Sequence, residues 1–191
     1  MKLLRYLAGL LVFLLATTVT PAQHYEAGQA VADIITSPSD DRDYLAHRLK
    51  NGLRVLLISD PHTDKAAAAL DVRVGSGSDP EERPGLAHLL EHMLFLGTER
   101  YPEAGEYQAF IQLHGGNDNA YTMPDHTNYY FDIESQYLRG ALERFSQFFV
   151  AALFNPKFIE RERGIVHAEF SAKLQSDGRR YLAARRQAFD P

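Results

Sequence analysis

Two histidines and a glutamate stand close together in a stretch of apolar residues. His88, Glu91 and His92 lie within the run Gly-Leu-Ala-His-Leu-Leu-Glu-His-Met-Leu-Phe-Leu at residues 85–96. On a helix, residues four apart project from one face, so both imidazoles would point the same way, and Glu91 would border that face. This spacing predicts a pair of metal ligands with an adjacent general base.

A purely structural role for the same residues is the alternative interpretation. In it, His88 and His92 are hydrogen-bonded core histidines and Glu91 is paired with an arginine. The segment is apolar nearly all round, which predicts a buried helix. Two imidazoles and a carboxylate on one buried turn would be costly without a metal, so the sequence favours the metal site.

A catalytic zinc site needs one more protein ligand. Such sites typically have three protein ligands and an open position. The helix predicted after Pro156 carries Glu162 and Glu169, which are seven residues apart and therefore on the same face. Spacing alone leaves either glutamate as the third ligand. No comparable spacing makes His126 or His167 a ligand.

The composition limits the chemistry to these residue types. The chain has 191 residues, no cysteine, no tryptophan and a formal net charge of −5. The lack of cysteine excludes a disulfide framework, thiolate catalysis and cysteine-based metal sites, so His and carboxylate must hold any metal. The acidic balance argues against a nucleic-acid partner. A serine hydrolase is poorly supported, because no Gly-x-Ser-x-Gly motif occurs.

The elements that must position these residues follow from periodicity and turn signals. A helix is predicted to begin at Pro84 and to run to about Leu96, with Gly97 as its stop. The segment from Gly75 to Pro84 lacks the lysine of a phosphate loop and is interpreted as a simple connector. Further helices are predicted at 104–114, 138–149, 156–170 and 181–189, and strands at 44–49, 53–58, 66–74, 119–122 and 127–133.

These elements predict the fold class. Asn51-Gly52 between two apolar-rich runs is a strong hairpin signal. Antiparallel strands with helices between and after them indicate an α+β fold, with a mainly antiparallel sheet and helices packed on one face.

The N-terminus has the pattern of a secretory leader. Lys2 and Arg5 precede an uncharged apolar run at residues 6–16, which is too short to span a bilayer comfortably. We expect cleavage after Ala22 and a bacterial periplasmic or secreted protein with no stable membrane anchor. An uncleaved anchor is the alternative. Residues 23–42 are interpreted as a short mature lead-in.

Several segments together resemble one peptidase family. They are residues 85–95 with Gly97-Thr98, the run Asn-Ala-Tyr-Thr at 119–122, the run His-Thr-Asn-Tyr-Tyr-Phe at 126–131, and Glu160-Arg161-Glu162 through Glu169. They resemble the signature of the pitrilysin and insulin-degrading-enzyme family, whose inverted zinc motif gives the name inverzincins. The resemblance runs from the Asn-Gly hairpin to the last residue.

The resemblance implies a function and a set of roles. It implies a zinc-dependent endopeptidase acting on peptides or small unfolded polypeptides, with one Zn²⁺ per chain held by His88, His92 and Glu169. Glu91 would activate the attacking water, and Glu162 would support activity without binding the metal. Substrate would add as a strand, and the residues implied to bind it are Asn119, Ala120, Tyr121 and Phe95. Phe95 is equally well interpreted as plain core.

The resemblance also implies that part of the polypeptide is missing. Family members are longer, so we expect residues 43–191 to be a truncated N-terminal catalytic domain that works with C-terminal domains of the same polypeptide. The alternative is a non-catalytic relative, or an inactive fragment, that serves as a zinc-binding partner or scaffold.

Overall fold

The computed structural model describes residues 29–30 and 34–189. These residues form two compact units, one ending at Pro61 and the other beginning at His62. The predicted leader over residues 1–22 lies outside the described residues and stays a prediction. Among the helices that the structure describes, none is long and apolar enough to cross a membrane.

The first unit contains the predicted hairpin. Strands β1 (Gln29–Ala30), β2 (Asp43–Arg48) and β3 (Arg54–Ser59) form an antiparallel sheet in the order β1-β2-β3. Gly52 in the β2–β3 turn has φ of +89°, which a residue without a side chain adopts readily. The Asn51 side chain accepts a hydrogen bond from the Leu53 N–H at 3.1 Å. The Asn-Gly signal therefore located the turn correctly.

The second unit contains a sheet of three strands and five helices. Strands β4 (Lys65–Val72), β5 (Asn117–Thr122) and β6 (Thr127–Glu134) are antiparallel in the order β4-β6-β5. The helices are α1 (Leu86–Leu94), α2 (Glu106–Leu113), α3 (Leu138–Gln147), α4 (Pro156–Ala172) and α5 (Asp177–Phe189). The α+β class is confirmed, although the strands divide between two sheets rather than forming one.

The core of the second unit lies on one face of its sheet. The alternation along β6 buries Thr127, Tyr129, Phe131 and Ile133. Helices α1, α2 and α3 contact this sheet. The buried cluster consists of Leu94, Tyr107, Ile111, Tyr129, Phe131, Ile133, Ala141, Phe145 and Phe148. Because β6 is the central strand, its buried face fixes where the two neighbouring strands lie.

Helix α1 differs from its prediction in two ways. It begins at Leu86 rather than Pro84, because Gly85 has φ of +91°, outside the helical region. It is also less buried than its apolar sequence suggests, since Leu86 and Leu90 are each 43% exposed. Within the described residues, α1 packs mainly against α4, β5 and the short turn Ser76–Ser78, and this packing leaves the two leucines partly exposed.

The segment at 75–79 was predicted to be a simple connector, and that prediction is wrong. The N–H groups of Ser76 and Gly77 donate to the carbonyls of Met123 and Pro124 at 2.9 and 2.7 Å, in the turn between β5 and β6. A Cβ at Gly75 would lie 2.0 Å from the Met123 carbonyl oxygen, so the close approach requires glycine.

The same loop also holds the start of α1. The two oxygens of Asp79 accept hydrogen bonds from the N–H groups of Gly85 and Ala87 at 2.7 and 2.8 Å. These N–H groups have no partner within the helix, and a carboxylate is favourable at a helix N-terminus. The 75–79 loop therefore fixes α1 and the end of β5 relative to each other.

Candidate metal centre

Helices α1 and α4 bring three potential ligands together. His88 Nε2 and His92 Nε2 are 3.3 Å apart, on successive turns of α1. Glu169 on α4 places one oxygen 3.5 Å from His88 Nε2 and the other 3.9 Å from His92 Nε2. In the part of the chain that the structure describes, this is the one group of three or more His and carboxylate residues close enough to share a metal ion.

The three donors fit a zinc ion. Ligand atoms about 2.0 to 2.1 Å from a tetrahedral zinc are about 3.3 to 3.4 Å from one another. Two of the observed separations, 3.3 and 3.5 Å, match this spacing, and the third is slightly longer at 3.9 Å. Two imidazoles and one carboxylate are a donor set that zinc accepts, and they leave a fourth position open.

Glu162 lies behind His92 and outside the group of three potential ligands. Its Oε2 is 3.1 Å from His92 Nδ1. Its Oε1 accepts a hydrogen bond from Arg161 Nε at 2.9 Å and forms an ion pair with a terminal guanidinium nitrogen of the same arginine at 2.8 Å. Glu162 is only 5% exposed. With Nδ1 donating to this carboxylate, Nε2 of His92 carries the lone pair that a metal needs. Spacing left Glu162 and Glu169 tied, and the geometry gives them different surroundings.

The electrostatics favour a neutral imidazole at His88. Burial is the main cause that lowers the pKa of His88, although the nearby carboxylates of Glu91 and Glu169 oppose it. A histidine with a lowered pKa remains deprotonated at neutral pH. That is the form in which an imidazole binds a metal.

Glu91 projects from the same helix but contacts a different element. Its Oε2 accepts a hydrogen bond from Thr122 Oγ1, at 2.5 Å, and the residue is 8% exposed. Thr122 is the last residue of β5. Its hydroxyl therefore joins the glutamate to the sheet.

Three of the four predicted substrate-binding residues lie on an edge strand. Within the described residues β5 pairs only with β6, and Asn119, Ala120 and Tyr121 are its third, fourth and fifth residues. The Ala120 N–H donates to the side-chain oxygen of Asn119 at 2.9 Å. Tyr121 is 44% exposed. In β5, the hydrogen bond of the Ala120 N–H is therefore made with the side chain of the preceding residue.

Phe95 lies among aromatic residues. Its ring centroid is 5.1 Å from that of Phe148, 6.0 Å from that of Tyr107 and 6.3 Å from that of Tyr129. It packs as a partly buried residue against the core cluster. Of the two interpretations of Phe95, these contacts favour the core.

Comparison with known proteins decides the family. A family model described as insulinase, peptidase family M16, matches residues 54–188. The chain belongs to the insulinase family. Members of this family are zinc metallopeptidases, and the resemblance drawn from the sequence motifs is thereby confirmed.

Individual insulinase-family relatives agree. The insulin-degrading enzyme of Mus musculus is 48% identical over 158 residues, which cover 83% of this chain and 16% of that protein. The A-factor-processing enzyme of Saccharomyces cerevisiae is 46% identical over 145 residues, covering 76% of this chain and 14% of that protein. The chain thus spans about one sixth of the length of the curated relatives it matches.

Solved structures give the same result for the fold. The crystal structure of pitrilysin matches with a TM-score of 0.75 and 42% identity, covering 80% of this chain and 16% of that one. A protease from Helicobacter pylori matches with a TM-score of 0.62 and 29% identity, covering 66% of this chain and 30% of that one. The α+β arrangement is therefore that of an insulinase-family domain.

Three residues that help to hold the site in place could not be assigned a role from the sequence. They are Asp79, Thr122 and Arg161. Asp79 stands six residues before Gly85, whereas capping rules consider the residue next to the helix. Thr122 and Glu91 are 31 residues apart in sequence. Only the alternation of β5, which places Thr122 on the face opposite to Tyr121, gave any signal of its direction.

Proposed function

We propose that this chain carries the catalytic site of a zinc-dependent endopeptidase that hydrolyses peptides or small unfolded polypeptides. The observation that carries the proposal is the convergence of His88, His92 and Glu169, with Glu91 on the same helix as the two histidines. Membership of the insulinase family supports it, because that family consists of zinc peptidases.

The proposed roles follow from the contacts. His88, His92 and Glu169 would hold one Zn²⁺, which supplies Lewis acidity that acidifies a water molecule and polarises the scissile carbonyl. Glu91 would accept a proton from the attacking water and deliver it to the leaving amine. Glu162 would keep the ring and tautomer of His92 fixed through its contact with Nδ1.

The proposed substrate site is the edge of β5. A peptide that adds to a strand edge is held mainly by backbone hydrogen bonds, which give affinity with little sequence preference. Its carbonyl would replace the Asn119 side chain as the acceptor for the Ala120 N–H. Tyr121 would contact the added peptide from the same strand.

Two substitutions separate the ligand from the base. In the natural protein that carries these residues, Glu169→Gln should lose most of its zinc, because a ligand is weakened. Glu91→Gln should keep its zinc and lose hydrolysis of a quenched fluorescent peptide, by at least about 100-fold, because only the base is removed. Zinc content is measured by metal analysis after gel filtration.

Glu160→Gln is the matched control for both variants. Glu160 is on α4 and pairs with Arg163 at 2.6 Å in an exposed position. It should keep both zinc and activity. Full zinc retention by Glu169→Gln would remove Glu169 from the ligand set, and wild-type turnover by Glu91→Gln would show that this residue is not the base.

A further inference from the structure

We propose that Thr122 is a positioning residue for the general base Glu91, an inference that rests on the proposed function. Thr122 Oγ1 donates to Glu91 Oε2 at 2.5 Å, across 31 residues of sequence. Glu91 is 8% exposed, so little solvent competes for this oxygen. Thr122 touches the base and is not placed among the groups that meet the metal or the substrate.

The sheet dictates where the hydroxyl points. Thr122 pairs with Thr127 in the antiparallel register of β5 and β6, and Thr127 is buried on the face that the helices cover. Directly paired residues project to the same face of a sheet. The Thr122 side chain therefore points toward α1, whereas its neighbour Tyr121 points to the other face.

Donor and acceptor are held by one loop. Met123, which follows Thr122, donates to the His126 carbonyl at 2.8 Å and accepts from the Ser76 N–H at 2.9 Å. Asp79, three residues after Ser76, caps α1, the helix that carries Glu91. The hydroxyl and the carboxylate therefore meet between two elements whose separation the 75–79 loop fixes.

This contact restricts a flexible side chain. A glutamate has three rotatable side-chain bonds, and a base must lie within hydrogen-bond reach of the proton that it removes. With Oε2 held by Thr122, the Oε1 atom is the one available to the attacking water. Loss of the hydroxyl should therefore slow the chemical step and leave substrate binding nearly unchanged.

The test compares threonine variants in the natural protein. Thr122→Val removes the hydroxyl and keeps the shape of the side chain, and Thr122→Ser keeps the hydroxyl. Thr122→Val should retain its zinc and lower kcat by about tenfold or more, with KM within about twofold. Thr122→Ser should restore kcat to within about threefold of the wild-type value.

Thr127→Val is the matched control. It makes the same substitution in the paired residue, whose hydroxyl donates to the Val74 carbonyl at 2.8 Å instead of to Glu91. It should reduce thermal stability and leave kcat unchanged. If Thr122→Val does not fold, Thr122→Ala removes the same hydroxyl and the same outcomes apply.

A second readout does not depend on turnover. A phosphinic peptide carries a tetrahedral centre that a correctly placed glutamate can contact. Its binding, measured by calorimetry, should weaken by about fivefold or more in Thr122→Val and stay unchanged in Thr127→Val.

The outcomes separate this inference from the proposed function. Wild-type kcat and phosphinic-peptide affinity in Thr122→Val, in a protein that Glu91→Gln inactivates, would overturn the role of Thr122 alone. Equal losses in Thr122→Val and Thr122→Ser would do so as well, because the hydroxyl would not be the cause. If Glu91→Gln leaves hydrolysis unchanged, both proposals fall.

Discussion

Glu162 uses its two oxygens for two different partners. One oxygen contacts Nδ1 of His92, and the other accepts a hydrogen bond from Arg161 Nε and forms an ion pair with the same guanidinium. The positively charged guanidinium is thus the ion-pair partner of this buried carboxylate. Glu162 thereby presents a fixed acceptor to the histidine.

Replacement of this residue tests its action through His92. Glu162→Gln should weaken zinc affinity by about 10- to 100-fold, because a partner that orients a ligand is exchanged for a weaker one. The affinity is measured by competition with a chromophoric chelator. Glu160→Gln, on the exposed side of the same helix, should leave it unchanged. Wild-type affinity in Glu162→Gln would mean that the contact with Nδ1 has no influence on the metal.

Ionisation of Asp118, in β5, destabilises the folded protein in a pH-dependent way. Burial raises the pKa of this carboxyl, so the folded protein holds its proton more tightly than the unfolded chain does. The cost of ionisation is absent below about pH 3.9 and is fully present once the pH exceeds the raised pKa. Asp118→Asn should therefore raise the melting temperature at pH 7, and the gain should vanish toward pH 3.9.

The pKa of Asp125 is shifted in the opposite direction to that of Asp118. Its hydrogen bond with His126 lowers the pKa of Asp125, so its ionised form is favoured in the folded state. Asp125→Asn should lower the melting temperature at pH 7, and only slightly because the side chain is exposed. Melting curves of both variants at pH 4 and pH 7 check the signs. A lower melting temperature of Asp118→Asn at pH 7 would contradict the burial argument.

At the scale of elements, replacing glycine by alanine should have opposite effects on stability at two positions. A Cβ added at Gly75 would lie 2.0 Å from the Met123 carbonyl oxygen. A Cβ added at Gly164, in the middle of α4, would have no atom of the described residues within 4 Å. Gly75→Ala should destabilise the protein by more than about 3 kcal/mol, because backbone atoms must move. Gly164→Ala should stabilise it by about 0.5 to 1 kcal/mol, through helix propensity. Urea unfolding gives both values, and similar small effects for the two would show that the 75–79 loop is not tightly packed.

Local patterns predicted the elements well, because they depend on neighbours in sequence. The alternation in β6, the Asn-Gly turn and the spacing of His88 and His92 each translate directly into geometry. Contacts between distant segments carry no such signal. Neither the cap of α1 by Asp79 nor the bond from Thr122 to Glu91 follows from any local rule.

The buried face of helix α4 was hard to predict from the sequence. Ile165 and Phe170 are apolar residues of the kind that form the buried face of a helix, yet they are 40% and 56% exposed, whereas Glu162 is buried. Periodicity gives the angle between residues but does not tell which side meets a partner. Here the partner helix presents His92 and His88, which favour carboxylates on the facing side.

At the scale of the whole molecule, the predicted leader determines where the protein would work. Mouse and yeast relatives give no support to a bacterial periplasmic location, which stays a prediction from Lys2, Arg5 and the apolar run. N-terminal sequencing of the native protein should start near Gln23. An intact Met1 on a cytoplasmic protein would contradict export.

The 75–79 loop also restricts where this domain can accept additional residues. A surface loop usually lengthens at little entropic cost, about 0.6 kcal/mol for a doubling. Here added residues would separate the cap of α1 from the β5–β6 turn and pull Glu91 away from Thr122. The turn at Gly52 connects β2 and β3, and no atom of the residues that the structure describes lies within 4 Å of a Cβ added there. An epitope tag or a fluorescent label therefore belongs in the β2–β3 turn and not in the glycine-rich segment before the zinc motif.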